Sequence, residues 1–352
     1  MAKRARVVIG GVDTHGRTHH AAIIDQHGRL LADAEFGAHT HGYRQLLGWL
    51  GRHGQLRSVG VEGTGTYGAG LTRFLLDHGV QVLEADRPNR RTRRQRGKSD
   101  PIDAEAAARA VLAGTATALP KRRDGIVEAI RVLRGVRAGA VKARTAAINQ
   151  LKAMVVTAPA VVREALDGRS TTRQVAACAR LRPDPGQLDD PVQATKAALR
   201  AVAVRILALE QEIRLADQRL GKLVPKAAPR TLGLLGIGIE HAGQLLQTAG
   251  DNPERLRGEA AFAHLCGAAP IPASSGRTRR HRLHRGGDRN ANCALHLAVV
   301  VRLRHCPRTR AYVERRTKEG LSKPEIMRCV KRYLAREVYH AILADFQALH
   351  AT

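Results

Sequence analysis

The run Arg6-Val7-Val8-Ile9-Gly10-Gly11-Val12-Asp13-Thr14-His15-Gly16 decides how the first third of the chain is read. A short apolar run that ends in polar residues reads as a buried strand. This one delivers a carboxylate, Asp13, at its end. Working outward, His20 to Asp25 is a second strand, Gln26-His27-Gly28-Arg29 is a turn, and Leu30 to Phe36 is a third strand. Three antiparallel strands in succession follow. Thr40 then caps a helix to about Arg52, with Leu46, Leu47 and Leu50 on its apolar side. Arg57 to Val61 is a fourth strand that ends in Glu62. A loop, Gly63-Thr64-Gly65-Thr66-Tyr67-Gly68, comes next, then a helix from about Ala69 to His78 and a fifth strand, Val80 to Ala85. Glu62 therefore stands at a strand end, where a parallel sheet exposes its ligand edge. The glycine-rich loop fits neither the dinucleotide nor the Walker pattern, so no nucleotide cradle is read there.

Bulk properties narrow the partners. A formal charge of +28 on 352 residues attracts a polyanion. Nucleic acid is the usual one, because each neutralised phosphate releases counterions. The alternative, a membrane surface, lacks a long apolar run or an amino-terminal signal pattern. The expectation is a soluble cytoplasmic protein of two or three domains. The five cysteines, Cys178, Cys266, Cys293, Cys306 and Cys329, are scattered without a C-x-x-C pair. That argues against a zinc finger or a disulfide framework. Aromatics make up only 3% of residues, too few for an extended base-stacking platform.

Beyond the fifth strand lies Arg87-Pro-Asn-Arg-Arg-Thr-Arg-Arg-Gln-Arg-Gly-Lys98. It is too charged to bury. Arg90, Arg91, Arg93, Arg94, Arg96 and Lys98 are candidate phosphate contacts. Ser99-Asp100-Pro101-Ile102-Asp103 then opens a helix, with Asp100 as N-cap, Pro101 at the first helical position and Asp103 in the first turn. Helix starts favour carboxylates on their own account. The case for chemistry is the set Asp13, Glu62, Asp100 and Asp103, two at adjacent strand ends and two on one helical face. Four such groups can hold a pair of Mg²⁺ ions, which phosphodiester chemistry uses to stabilise the attacking and leaving oxygens. Three antiparallel strands followed by alternating helix and strand, with acids at these places, is the layout of a ribonuclease H-like (RuvC-like) α/β domain.

Three blocks carry a family resemblance: Val12-Asp13-Thr14-His15, Val61 to Tyr67, and Lys98-Ser-Asp-Pro-Ile-Asp-Ala104. In order and spacing they resemble the DEDD insertion-sequence transposases, relatives of the Piv invertases and of Holliday-junction resolvases. The resemblance implies that Asp13, Glu62, Asp100 and Asp103 are the acidic tetrad. It extends from Val7 to about Leu343. It also implies a catalytic serine in a second block, Ala261 to Asn290, assigned to Ser275 beside Gly276 with Ser274 as the fallback. Arg277, Arg279, Arg280 and Arg282 follow that serine and would hold phosphate against its hydroxyl. The resemblance further implies DNA target and donor ends as partners, an element-encoded guide RNA, and a homo-oligomer, a dimer that becomes a tetramer when active.

The remaining chain reads as helical. Asp124 to about Ala158 carries an apolar stripe of Ile126, Ile130, Leu133, Val136, Val141, Ile148 and Leu151. Ala194 to Leu223 carries another of Leu199, Val202, Ile206, Leu209, Ile213 and Leu220. Such stripes suit either packing within one chain or a coiled-coil dimer arm; the resemblance favours the arm. Thr231 to Ile239 resembles the turn of a helix-hairpin-helix module, whose glycine amides can meet phosphate. A plain tight turn fits it as well. The organisation expected is residues 1–120 as the catalytic domain, 121–225 as a helical coiled-coil region, and 226–352 as a mainly α carboxy-terminal domain with the serine. Two other functions fit the same residues: a metal-dependent junction nuclease in which water attacks, and a non-catalytic nucleic-acid-binding protein.

Overall fold

The computed structural model describes residues 6–86, 99–277 and 280–351. The amino-terminal part is a mixed five-stranded sheet with helices on both faces. Its strands are β1 (Val7–Thr14), β2 (Thr18–Asp25), β3 (Leu30–Gly37), β4 (Gln55–Glu62) and β5 (Val82–Ala85), in the order β3-β2-β1-β4-β5. β1, β2 and β3 are antiparallel neighbours, while β4 pairs parallel with β1 and β5 parallel with β4. The expected strands and their order are all present. The fifth starts two residues later than expected, because Val80 still bonds back to the preceding helix.

Alternation along the strands assigns the two faces. Val8, Val12, Ala21, Ile23, Val59 and Val61 pack with helices α1 (Thr40–Arg52) and α2 (Ala69–Asp77). The alternate positions, Ile9 and Ile24, pack with helix α3 (Asp100–Leu112). Gly11 and Gly60 belong to this second face. A Cβ on Gly11 would lie 2.1 Å from the Ala104 carbonyl oxygen and 2.3 Å from the Ala108 nitrogen; one on Gly60 would lie 2.7 Å from the Ala107 carbonyl oxygen. The helix backbone therefore rests directly on the sheet backbone at its Ala104–Ala108 turn, with Val111 and Leu112 packing further along. α3 begins one residue earlier than the sequence suggests. Ser99 is the N-cap, and Asp100 and Pro101 are the first helical residues.

The two long helices, α4 (Ile126–Val156) and α7 (Pro191–Ala227), form an antiparallel hairpin. Arg137 Nε donates to Asp217 Oδ1 (2.5 Å), and further out Arg205 donates to Gln150 (2.6 Å), so partner numbers fall as the chain rises. Both apolar stripes are largely used against each other inside the chain: Ile130 shares a core with Leu220, and Leu151 shares one with Leu199 and Ile206. Val136, expected on the stripe, is instead exposed. Helices α5 (Ala160–Leu166) and α6 (Thr171–Ala179) close the distal end, with Pro159 breaking the chain before α5.

The carboxy-terminal core gathers the roots of α4 and α7 with α8 (Ile239–Ala249), α9 (Glu259–Leu265), α10 (Arg289–His305) and α12 (Lys323–His350); α11 (Pro307–Lys318) lies outside them. Gly236, at φ +89°, lets the turn before α8 approach the Ala298 backbone of α10, where a Cβ would lie 2.6 Å from a carbonyl. The buried Asp345 accepts from the Arg230 and Thr231 amides and from the Thr231 hydroxyl, at 2.9, 3.0 and 2.7 Å, and so caps the short helix at residues 229–232.

Residues 117–125 connect sheet and helices, and side chains from the helical part fasten them. Arg255 Nε donates to the Leu119 carbonyl (2.7 Å), Asn252 to that of Pro120 (3.2 Å) and Arg257 to that of Thr117. Lys121 reaches back to the Gln247 carbonyl. Burial lowers the Lys121 pKa from 10.5 to about 8, with Arg255 and Arg123 adding to the effect.

Two outcomes follow. Gly11→Ala should lower stability by about 1–3 kcal/mol, the usual cost of overpacking. Gly48→Ala on α1, where a Cβ meets nothing within 4 Å, should raise it slightly. Urea midpoints of the two variants read the contrast. Second, between pH 8 and 10.5 the unfolded state binds the extra proton at Lys121. Stability from this group should therefore rise as pH climbs through that window, and Lys121→Met should flatten the rise. Urea unfolding across the window measures it.

Candidate active site

Asp13 ends β1 on the face that carries Gly11, and Glu62 ends β4 on the face that carries Gly60. In the parallel register Val12 faces Val61, so the two carboxylate-bearing residues leave the sheet side by side. The Thr14 hydroxyl donates to the Glu62 carbonyl (2.8 Å) and ties the two strand ends together. α3 then brings its first turn to the same edge. Asp103 is buried, on the helix flank that includes the buried Ala104, Ala107 and Ala108. Asp100 is three residues earlier and half-exposed. The sheet and α3 thus bring Asp13 and Asp100 together, with Glu62 at the adjacent strand end and Asp103 one helical turn from Asp100.

Among the described residues, the tightest potential metal-binding group is Asp13, His15 and Asp100, with one ligand atom from each lying within 4.8 Å of the others. His15 Nε2 is 3.1 Å from Asp13 Oδ2 and 3.3 Å from Asp100 Oδ1. The sequence motif singles out Asp13 and not His15, although the local pattern carries a signal for both. Asp-x-His at a strand end puts both side chains on one side. A second histidine flanks the site: His20 is paired in register with Asp13, and its Nε2 lies 2.7 Å from Asp33 Oδ1. The rim is formed by the loop after β4. Gly63 turns it at φ +69°, and the exposed Tyr67 stands over Gly16.

The donor chemistry fits a divalent cation. Carboxylate oxygens are the ligands hard cations take, and they converge here in a chain whose cationic residues far outnumber its acids. His15 adds a nitrogen that can ligate directly or hold the two carboxylates in place.

The expected serine lies elsewhere in the chain. Ser274 and Ser275 are exposed near the tip of a two-stranded hairpin made by β6 (Ile271–Pro272) and β7 (His281–Arg282). Gly276 turns the tip at φ +54°, and Ser274 Oγ accepts from the Arg280 amide (3.3 Å). Arg277, Arg280 and Arg282 are on this hairpin and Arg280 and Arg282 are exposed; Arg279 lies outside the described residues, as do Arg90, Arg91, Arg93, Arg94, Arg96 and Lys98. The hairpin's root is fixed by Asp288. One of its oxygens caps α10 through the Asn290 amide (2.8 Å), and the other accepts from Gln244 (3.0 Å) and Thr248 (2.7 Å) of α8. At Gly287, φ +80°, a Cβ would lie 2.5 Å from the His264 carbonyl oxygen. Gly-Gly-Asp therefore works as an anchor for the hairpin.

A sheet edge lined with acids, set in a strongly basic chain, suits metal-dependent chemistry on phosphodiesters. Comparison with known proteins makes this specific. A DEDD-type model of the IS110 group, described as a transposase, matches residues 10–158, and a model of the transposase IS116/IS110/IS902 family matches residues 231–314. The first match contains the acidic edge and the second contains the serine hairpin. A protein of Streptomyces coelicolor named "Mini-circle putative transposase for IS117" is 26% identical over 377 residues, covering 91% of this chain and 90% of its own. The protein is a DNA transposase, and it belongs to the IS110 family of insertion-sequence transposases. No helix among the described residues is long and apolar enough to cross a membrane.

Asp13→Asn and Asp100→Asn should each weaken Mn²⁺ binding at least roughly tenfold, the scale of metal-site disruption, while far-ultraviolet circular dichroism stays unchanged. Calorimetric titration of the metal reads this without requiring turnover.

Proposed function

We propose that this transposase cuts and rejoins DNA through two sets of residues, the acidic tetrad and Ser275. The amino-terminal unit, residues 1–120, is on this reading a ribonuclease H-like catalytic domain. Residues 121–225 are a helical spacer, and residues 226–352 are the serine-bearing domain, with a helix-hairpin-helix-like turn before α8. The observation that carries the reading is the backbone-to-backbone seat of α3 on Gly11 and Gly60, which brings the helix start of Asp100 and Asp103 to the strand ends of Asp13 and Glu62.

Asp13, Glu62, Asp100 and Asp103 would hold Mg²⁺. When bound, the metal supplies charge stabilisation at the attacking and leaving oxygens of a phosphodiester. The Ser275 hydroxyl attacks phosphorus, its proton passes to a base, and the bond from phosphorus to the leaving sugar oxygen breaks as that oxygen gains a proton. The phosphoserine link conserves the bond, so a second sugar hydroxyl can displace Ser275 without an external energy source. Arg277, Arg279, Arg280 and Arg282 hold the phosphate at the hairpin, and the run from Arg90 to Lys98 clamps the nucleic acid beside the acids. An element-encoded RNA guides the choice of DNA, and a homodimer that pairs into a tetramer brings the two sets of residues together. These last two features rest on family membership and on a charge suited to both nucleic acids.

Ser275→Ala should abolish strand joining and the covalent protein–DNA adduct while leaving DNA binding within twofold of wild type. Asp103→Asn should abolish both strand cleavage and joining. Denaturing gels of end-labelled element DNA, run with and without protease, distinguish these outcomes. Unchanged cleavage in Ser275→Ala, with water as the attacking group, would favour a nuclease.

A further inference from the structure

Beneath the serine hairpin lies a cavity of about 650 Å³ between β7 and the helices α11 and α12. Six cationic side chains line it: Arg280, Arg282, Arg316, Arg328, Lys331 and Arg332. Among the described residues only Arg316 of the six is ion-paired, with Glu319. The one carboxylate in the wall, Glu325, is already engaged. It closes the capping box of α12 by accepting from the Ser322 amide (3.0 Å) and hydroxyl (2.5 Å). Lys331 is the most informative of the group. It is buried, and its amine donates to Asn292 Oδ1 (3.0 Å). Asn292 in turn donates to the Cys266 and Gly267 carbonyls, at 3.2 and 2.7 Å, where the hairpin is rooted. An ammonium has three donors, so this one is oriented with donors to spare. Burial and the neighbouring Arg328 lower its pKa. A buried ammonium beside partly buried guanidinium groups, with the one acid already engaged, is costly unless an anion completes the site.

The rest of the wall is apolar or aromatic. Leu283 and Leu321 line it, and Tyr333 stands at its edge, 55% exposed. Tyr333 is braced edge-on by Tyr312 at 5.6 Å. In a chain so poor in aromatics, an exposed tyrosine held beside unpaired guanidinium groups marks a place where a base can stack. The cavity's volume is that of a site for a small molecule, so a duplex cannot enter it, whereas one or two unpaired nucleotides can.

We propose that this cavity binds a single unpaired DNA strand, holding its phosphates with Arg280, Arg282, Arg328, Lys331 and Arg332 and stacking one base on Tyr333. The choice of DNA rests on the proposed role of Ser275. A strand whose phosphate reaches the hairpin tip would continue past the Arg280 and Arg282 side of the hairpin into the cavity. The site separates the strand being cut from its complement.

The test is binding of fluorescein-labelled single-stranded DNA to the full chain in EDTA, by anisotropy across a salt series, beside a duplex and an RNA strand of the same sequence. Binding without metal keeps the result independent of the tetrad and of Ser275 chemistry. Arg328→Ala/Arg332→Ala should weaken single-strand binding roughly tenfold and reduce the salt slope by about 1.4, at about 0.7 per phosphate contact. Tyr333→Ala should weaken it at least roughly fivefold with the slope unchanged. Arg282→Ala, on the exposed hairpin wall, checks the same cavity from the other side and avoids any folding defect in α12. Duplex binding should change less than twofold in Arg328→Ala/Arg332→Ala and in Tyr333→Ala. Unaltered single-strand affinity, an equal loss for duplex, or a loss confined to the RNA strand would overturn the proposal.

Discussion

Helix α3 lies with its backbone against the backbone of the sheet because Gly11 and Gly60 leave no side chains between them. The rest of the acidic edge depends on this contact. A carboxylate at a helix start and one at a strand end can cooperate only if the elements meet at close range and at a fixed height. Ordinary helix-on-sheet packing would interpose a layer of side chains and move Asp100 and Asp103 outward. Here, where the helix meets Gly11, the interposed layer is alanine on one side and hydrogen on the other. Ser99 stands at the N-cap position without a side-chain cap bond, so the seat on the sheet, with Pro101 in the first turn, sets where the helix begins. Capping and chemistry therefore do not compete for Asp100, since the cap is a different residue.

A second constraint joins this edge to the rest of the chain. The connecting residues, 117–125, are fastened by Arg255, Asn252 and Arg257, all donating to backbone carbonyls, and Ala118 also bridges to Glu84 of β5. A side-chain N–H donor, from guanidinium or amide, on a backbone acceptor is directional, so the connection is a shaped joint between sheet and helices. From there the long hairpin of α4 and α7 projects, its apolar stripes mostly satisfied within the chain. The serine hairpin has a similarly firm root in Asp288 and Gly287, while its tip stays open.

Charge is distributed to match. The acids gather at the sheet edge, while the serine hairpin and the cavity below it are lined with guanidinium groups. A polyanion drawn to so basic a chain would be repelled by the acids unless a cation screened them, which is the electrostatic logic of metal-dependent phosphoryl transfer.

The sequence by itself determined much of this. Strand periodicity located β1 to β5, and the expected helix ending at Arg52 is observed, because half-buried strands and amphipathic helices write their burial into residue order, though His39 rather than Thr40 caps that helix. The positions of Asp13 and Glu62 at strand ends and of Asp100 and Asp103 at a helix start were legible because such places are marked locally by turns and proline. What only the tertiary structure decided are relations between distant residues. Gly11 and Gly60 look like ordinary strand glycines until α3 is laid on them. His15 becomes a member of the acidic group only when Asp100 arrives from another element. Gly-Gly-Asp at residues 286–288 becomes an anchor only when α8 supplies Gln244 and Thr248. The long helices could have paired within or between chains on their pattern alone; the fold pairs them within the chain, with an ion pair (Arg137–Asp217) and a hydrogen bond (Arg205 to Gln150) along the seam. Local propensity and alternation are properties of neighbouring residues, whereas close approach and shared charge depend on which elements the fold brings into contact.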